Sequence, residues 1–210
     1  MNQRIDQDEA TVFVVDDDAA VRQALSSLIR SVGLTVEVFS SAKDFLQVDP
    51  PEGPHCLVLD VRLPGISGLD FQAELERMGK HIPIIFMTGH GDIPMTVKAM
   101  KGGAVEFLTK PIRDQDLLDA IRLALDLSSR QREKDESLAK IQANFQQLTN
   151  REQEVIMLVA SGLMNKQIAA KLDVSEITVK VHRGNVMRKM GAKSLAQLVR
   201  MVDALGIQKA

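Results

Sequence analysis

Short apolar runs alternate with longer amphipathic stretches over the first 125 residues of the chain. The runs are Val12–Val15, Val36–Phe39, Cys56–Leu59, Ile82–Met87 and Val105–Leu108. Three of them are continuous and rich in β-branched residues, the pattern of strands buried on both faces. Between them apolar residues recur at helical spacing, as at Val21, Leu25, Leu28 and Ile29, and again at Leu117, Leu118, Ile121 and Leu125. Five strands alternating with five helices predict an α/β unit, a doubly wound parallel sheet covered on both sides. Gly33, Gly65, Gly68, Gly79 and Gly102-Gly103 fall in the connections, where tight backbone is needed.

The pattern changes at Ser128. A charged stretch gives way to Leu138, Ile141 and Phe145 at spacings of three and four, without Gly or Pro. This predicts a helical linker that extends the preceding helix, with a flexible tether as the alternative. From Leu148 onward the pattern is wholly helical. Thr149 and Glu152 stand in capping-box register, and their helix runs to about Ser161 before Gly162. Further helices are expected over about Asn165–Leu172, over Glu176–Lys189 behind the cap Ser175, and over Leu195–Leu205. The expected division is a tail over 1–10, an α/β domain over 11–127, a linker over 128–147 and a four-helix all-α domain over 148–210.

Charge separates the two halves. Residues 1–125 carry 12 Lys and Arg against 19 Asp and Glu, a net of −7, whereas 126–210 carry 14 against 9, a net of +5. A basic half suits a nucleic-acid partner. The apolar runs are far shorter than the roughly 18 residues of a membrane span, so no membrane is expected. The start of the chain lacks signal-peptide character. Cys56 is the only cysteine among 210 residues, which excludes an intrachain disulfide and makes a cytoplasmic location the expectation.

The residues that close the strands carry the candidate chemistry. The first run ends in Asp16-Asp17-Asp18, the third in Asp60 and the fourth in Thr88, with Lys110-Pro111 just past the fifth. In an open parallel sheet these ends share one edge. Carboxylates gathered there suit a hard divalent cation. A carboxylate so placed can attack a phosphoryl group while cation and lysine neutralise its oxygens. Asp18 reads instead as a helix N-terminal charge. Cys56 reads as a buried thiol, and His55, His81, His90 and His182 lack zinc spacing.

In the basic half, Ile168, Ala169, Leu172, Val174, Ile177 and Val181 are expected to form the packed junction of a helix-turn-helix. Lys180, His182, Arg183, Arg188 and Lys189 are expected to point outward from its second helix. Gly184, mid-helix, either admits DNA closely or weakens the helix by about 1 kcal/mol.

Segments 14–18 (VVDDD), 57–68 (LVLDVRLPGISG), 86–92 (FMTGHGD) and 107–112 (FLTKPI) resemble the CheY-like receiver domain of two-component response regulators. The resemblance implies that Asp60 is the phosphoacceptor and that Asp16, Asp17, Asp60 and the backbone carbonyl of Arg62 hold Mg²⁺ or Mn²⁺. It makes Thr88 the switch hydroxyl, Lys110 the phosphoryl contact and Phe107 the switch aromatic. Residues 148–199 resemble the LuxR-type helix-turn-helix, which implies DNA contacts from Lys166, Thr178, Lys180, Val181, His182, Arg183, Arg188 and Lys189, with Lys180 and Val181 reading base edges. In that family the last helix, with Leu195, Leu198, Val199 and Val202, serves dimerisation; covering the domain's own core is the alternative. Receiver plus this effector resembles the FixJ type. Its implied partners are a sensor histidine kinase, promoter DNA, RNA polymerase and, on phosphorylation, a second copy of the chain. Transcriptional activation is the implied outcome, with no enzyme activity beyond the chemistry at Asp60. A quorum-sensing regulator would lean on Trp and Tyr, and the chain has neither. A phosphohydrolase would place a second Asp two residues after Asp60, where Arg62 stands. A degenerate receiver would have lost part of the acceptor pocket.

Overall fold

The computed structural model describes residues 10–49, 51–89 and 91–207. The expected N-terminal tail up to Glu9, His90 and the last three residues of the expected C-terminal domain lie outside them. The chain divides into two compact units, Met1–Arg132 and Glu133–Ala210.

The first unit is built on five parallel strands: β1 (Thr11–Val15), β2 (Thr35–Phe39), β3 (His55–Asp60), β4 (Ile84–Thr88) and β5 (Glu106–Thr109). Their order in the sheet is β2-β1-β3-β4-β5. The helices α1 (Ala19–Ser31), α2 (Ala42–Phe45), α3 (Gly68–Arg77), α4 (Ile93–Lys101) and α5 (Asp114–Gln146) follow the strands in turn. All of β1, β4 and most of β3 are buried, yet the two faces of each strand enter different cores. Val12, Val14, Cys56, Val58 and Ile85 pack with Leu25 and Ile29 of α1 and Leu117, Ile121 and Leu125 of α5. Phe13, Val15, Leu57, Leu59 and Phe86 pack on the other face with Phe45, Leu69, Phe71, Leu75 and Ala99 of α2, α3 and α4. That is the period-two geometry of strands covered on both sides. Cys56 is fully buried, and burial pushes its thiol pKa up.

β2 and β3 leave β1 on opposite sides, so a crevice opens at the carboxyl ends of β1 and β3. Asp18 caps α1 there, its Oδ1 accepting from Ala20 N at 2.8 Å. Gly68 begins α3 against this edge, where a Cβ would meet the Asp60 carbonyl oxygen at 2.6 Å and Val61 Cα at 3.0 Å. Both neighbours are backbone and cannot swing aside. Gly68→Ala is expected to lower stability by about 2 kcal/mol, within the range for overpacked interiors, read as an earlier urea midpoint.

α5 is continuous through the unit boundary. Ser128 belongs to the first unit, where its hydroxyl accepts from His55 N at 3.1 Å. Ile141 and Phe145 pack into the core of the second. That unit adds α6 (Asn150–Ala160), α7 (Asn165–Leu172), α8 (Glu176–Met190) and α9 (Leu195–Ala204). Thr149 and Glu152 form the capping box of α6 in both directions, at 2.9 and 3.3 Å. α7 ends on Asp173 in the left-handed conformation, φ 53°, and Ser175 caps α8 two residues later.

The expected junction needs correcting. Ile168 and Ala169 are buried, and Leu172 and Val174 partly so, but Ile177 is 76% and Val181 58% exposed. Val179, Val186 and Met190 of α8 are the residues that enter the core, against Val155, Ile156 and Val159 of α6. On a helix, positions 179, 186 and 190 share one side, and 177 and 181 share the opposite one.

Candidate functional site

Strand register gathers the first site. Val15 pairs with Leu59, which sets Asp16 beside Asp60; Asp60 pairs with Met87, next to Thr88. Thr88 pairs with Thr109, and Lys110 follows it. Asp16, Asp60 and Thr88 are buried, at 1%, 6% and 0% exposure, whereas Asp17 is exposed. Lys110 bridges the two buried carboxylates, its Nζ donating to Asp16 Oδ2 at 2.7 Å and to Asp60 Oδ1 at 3.0 Å. Lys110 is joined to Pro111 by a cis peptide.

The remaining oxygens are also oriented. Asp60 Oδ2 accepts from Arg62 N at 3.0 Å, and Asp16 Oδ1 from Asp18 N at 2.9 Å. Burial holds the Asp60 carboxyl above its ordinary pKa, opposed by the Lys110 ammonium. For Lys110 burial works against the charge, but the hydrogen bonds to Asp16 and Asp60 outweigh it, and its pKa is raised.

Among the described residues no three His, Cys, Asp or Glu side chains stand as a ready-made metal set. The available donors still fit Mg²⁺. Asp16, Asp17 and Asp60 are hard oxygen donors, and their three charges exceed the single charge of Lys110. Thr88 and Phe107 border the same space: a Cβ on Gly91 would lie 3.2 Å from Thr88 Cγ2 and 3.0 Å from a Phe107 ring carbon. The Phe107 ring stands 6.2 Å from that of Phe86.

The second site lies on α7 and α8. Lys166, Lys180, Val181 and Arg188 are exposed, and Thr178 is half-buried with its hydroxyl 2.9 Å from that of Ser175. Three residues expected to point outward do not stand free. Lys189 Nζ donates to Glu152 Oε2 at 2.6 Å and to the Gln147 carbonyl at 3.3 Å. The reason is electrostatic: Glu152 is 3% exposed and needs a counter-charge. Arg183 Nη1 donates to Asn165 Oδ1 at 2.6 Å, tying α8 to α7. His182 is half-buried, on the flank of the helix beside its core face.

Arg22 and Asn165 escape the sequence reading, and Gly68 and Glu152 carry more than the roles it gives them. Arg22 donates from Nη1 to the Asp16 carbonyl at 2.6 Å and so holds the acidic corner. Gly68 keeps α3 against Asp60. Asn165 and Glu152 anchor Arg183 and Lys189 of α8. The capping-box signal of Glu152 says nothing of a lysine 37 positions away.

Comparison with known proteins identifies the families of the two units. Residues 12–122 match the response regulator receiver domain, and 146–202 match the bacterial regulatory proteins of the luxR family. The chain is 59% identical to nodulation protein W of Bradyrhizobium diazoefficiens, over 95% of this chain and 88% of that protein. It is 44% identical to the transcriptional regulatory protein FixJ of Azorhizobium caulinodans, over 95% of this chain and 94% of the relative. The solved structure of the response regulator StyR superposes with a TM-score of 0.82 at 52% identity, covering 93% of this chain and 98% of that one. The chain belongs to the two-component response regulators, as a transcriptional regulator that joins a receiver domain to a LuxR-family DNA-binding domain.

Proposed function

We propose that phosphorylation of Asp60 by a cognate histidine kinase switches this regulator from a weakly associating form to a dimer that binds promoter DNA. The observation that carries this reading is the buried Asp16–Lys110–Asp60 bridge, with contacts of 2.7 and 3.0 Å. An Asp60 carboxylate oxygen attacks the phosphorus of the kinase phosphohistidine, an acyl phosphate forms, and the imidazole leaves. Lys110 faces the carboxylate and can follow the phosphoryl oxygens as negative charge accumulates there. Asp16, Asp17, Asp60 and the Arg62 carbonyl would hold Mg²⁺, which receiver domains bind for phosphorylation and which supplies further neutralisation of those oxygens when bound. Arg22 keeps Asp16 in place throughout.

The acyl phosphate then offers acceptors to the Thr88 hydroxyl. Movement of Thr88 frees space beside Gly91, and Phe107 shares that border. The face made by α4, β5 and α5 changes, and two receivers pair through it. Pairing presents two α8 helices to a two-fold operator. Lys166, Thr178, Lys180, Val181 and Arg188 would make the direct contacts. His182, Arg183 and Lys189 would contribute through the placement of the helix and its field. Activation through RNA polymerase in the cytoplasm completes the reading.

Incubation with acetyl phosphate should add one phosphoryl group to the peptide carrying Asp60, seen by mass spectrometry and lost on chelation of divalent cations. Addition elsewhere, or none, overturns the reading. Arg188→Ala tests the DNA face: affinity should fall on every sequence alike, with the salt slope reduced by about 1, measured by fluorescence anisotropy across a salt series.

A further inference from the structure

α8 carries apolar residues on two opposite sides, and only one side has a protein partner. Val179, Val186 and Met190 fill the core. Ile177, Val181, Gly184 and Arg188 follow at spacings of four, three and four, which sets them on one stripe facing away from it. Ile177 at 76% exposure and Val181 at 58% are apolar side chains held in water beside a helix N-terminus. Gly184 is the bare point of the stripe: its backbone is helical, and a Cβ there would meet nothing within 4 Å. Neither the exposed Ile nor the mid-helix Gly is explained by packing within the unit. The glycine weakens the helix through its low propensity, and the isoleucine gains almost nothing from burial in the free protein.

The surroundings say what covers the stripe. Arg188 is exposed at the end of the stripe and Lys180 beside it, Lys166 is exposed on α7, and residues 126–210 carry a net charge of +5. That is the complement of a polyanion at the edges and of an apolar contact at the centre. In a DNA major groove the apolar feature on offer is the C5-methyl group of thymine. Thr178, the polar neighbour of Ile177, shares one hydrogen bond with Ser175 at 2.9 Å and keeps capacity for another.

We infer that Ile177, together with Val181, reads thymine methyl groups in the operator, and that Ile177 is a specificity-determining residue at the leading turn of α8. Resting on the DNA-binding reading above, the inference adds the chemical feature recognised and the residue that recognises it. Gly184 leaves the two branched side chains as the most protruding apolar atoms of the stripe, so they reach the groove floor ahead of the helix backbone.

The test uses the full-length chain treated with acetyl phosphate and duplexes selected by it from a random-sequence pool. Each thymine in a selected duplex is replaced in turn by deoxyuridine, which deletes the methyl group alone. At one or two positions per half-site the wild-type protein should bind the uracil duplex about fourfold more weakly, the loss expected for one buried methyl. Ile177→Ala should bind both duplexes alike at the position it reads, and Ile177→Val should restore part of the discrimination. Circular dichroism should show both variants folded, since Ile177 lies outside the core. Equal affinity of the wild type for thymine and uracil duplexes at every position overturns the inference and leaves DNA binding standing. So does an Ile177→Ala variant that weakens both duplexes by the same factor. Failure to retain any duplex overturns the inference together with the DNA-binding reading beneath it.

Discussion

Asp60→Asn is expected to remove the response of this regulator to a phosphodonor entirely. The amide keeps the shape of the carboxylate and can still accept from Arg62 N, which meets Asp60 Oδ2 at 3.0 Å. It lacks the anionic oxygen that attacks phosphorus, and Lys110 retains only Asp16 as an ionic partner. Acetyl phosphate should raise dimerisation and DNA affinity of the wild type by about 5- to 150-fold, the usual span of allosteric coupling. The variant should show a ratio near one by sedimentation velocity and by anisotropy on the same duplex. A variant that dimerises and binds DNA on acetyl phosphate as wild type does would remove Asp60 from the switch.

The second large effect concerns stability. Lys189→Met keeps the apolar stem and deletes the ammonium that meets Glu152 Oε2 at 2.6 Å. Glu152 is then a buried carboxylate with the Thr149 backbone N–H, at 2.9 Å, as its remaining donor. Breaking a buried pair from one side costs about 3–5 kcal/mol. The Lys189 side chain is 28% exposed, so about 3 kcal/mol is expected, roughly 15 °C in the Tm of a domain this size. The pH dependence follows from the sign of the Glu152 shift. Lys189 and the Thr149 N–H hold its pKa below the ordinary 4.5. The unfolded chain therefore binds the proton more readily, and the stabilisation is complete above pH 4.5 and lost as pH falls through the lower folded value. The wild-type advantage over Lys189→Met should be largest near neutrality and shrink below pH 4.5. A difference that stays constant from pH 7 to pH 3 would show that Glu152 is not its source.

The two sites were unequally legible in the sequence, for a topological reason. In a parallel sheet every strand ends on the same edge, so Asp16, Asp60, Thr88 and Lys110 could be assembled by noting which residue closes each run. Strand register then sets Asp16 alongside Asp60, and Lys110 binds both. No such edge exists for α8. Ile177 and Val181 have the same chemistry as Val179 and Val186, and a helix apolar on opposite sides gives no periodic signal for which side is inside. Contact with α6 decides it, through Val155, Ile156 and Val159, and that choice depends on residues about 25 positions away. Lys189 was misplaced for a related reason. A lysine defaults to solvent unless a buried anion claims it, and Glu152 announces itself only as a cap.

Cys56 lies on β3, the central strand of the sheet, with no exposed surface, and no second thiol exists in the chain. Oxidants therefore have no accessible sulfur with which to cross-link two folded copies. Under the proposed switch, association on activation would not pass through a disulfide, and its lifetime would follow the acyl phosphate on Asp60 rather than the redox state of the cell.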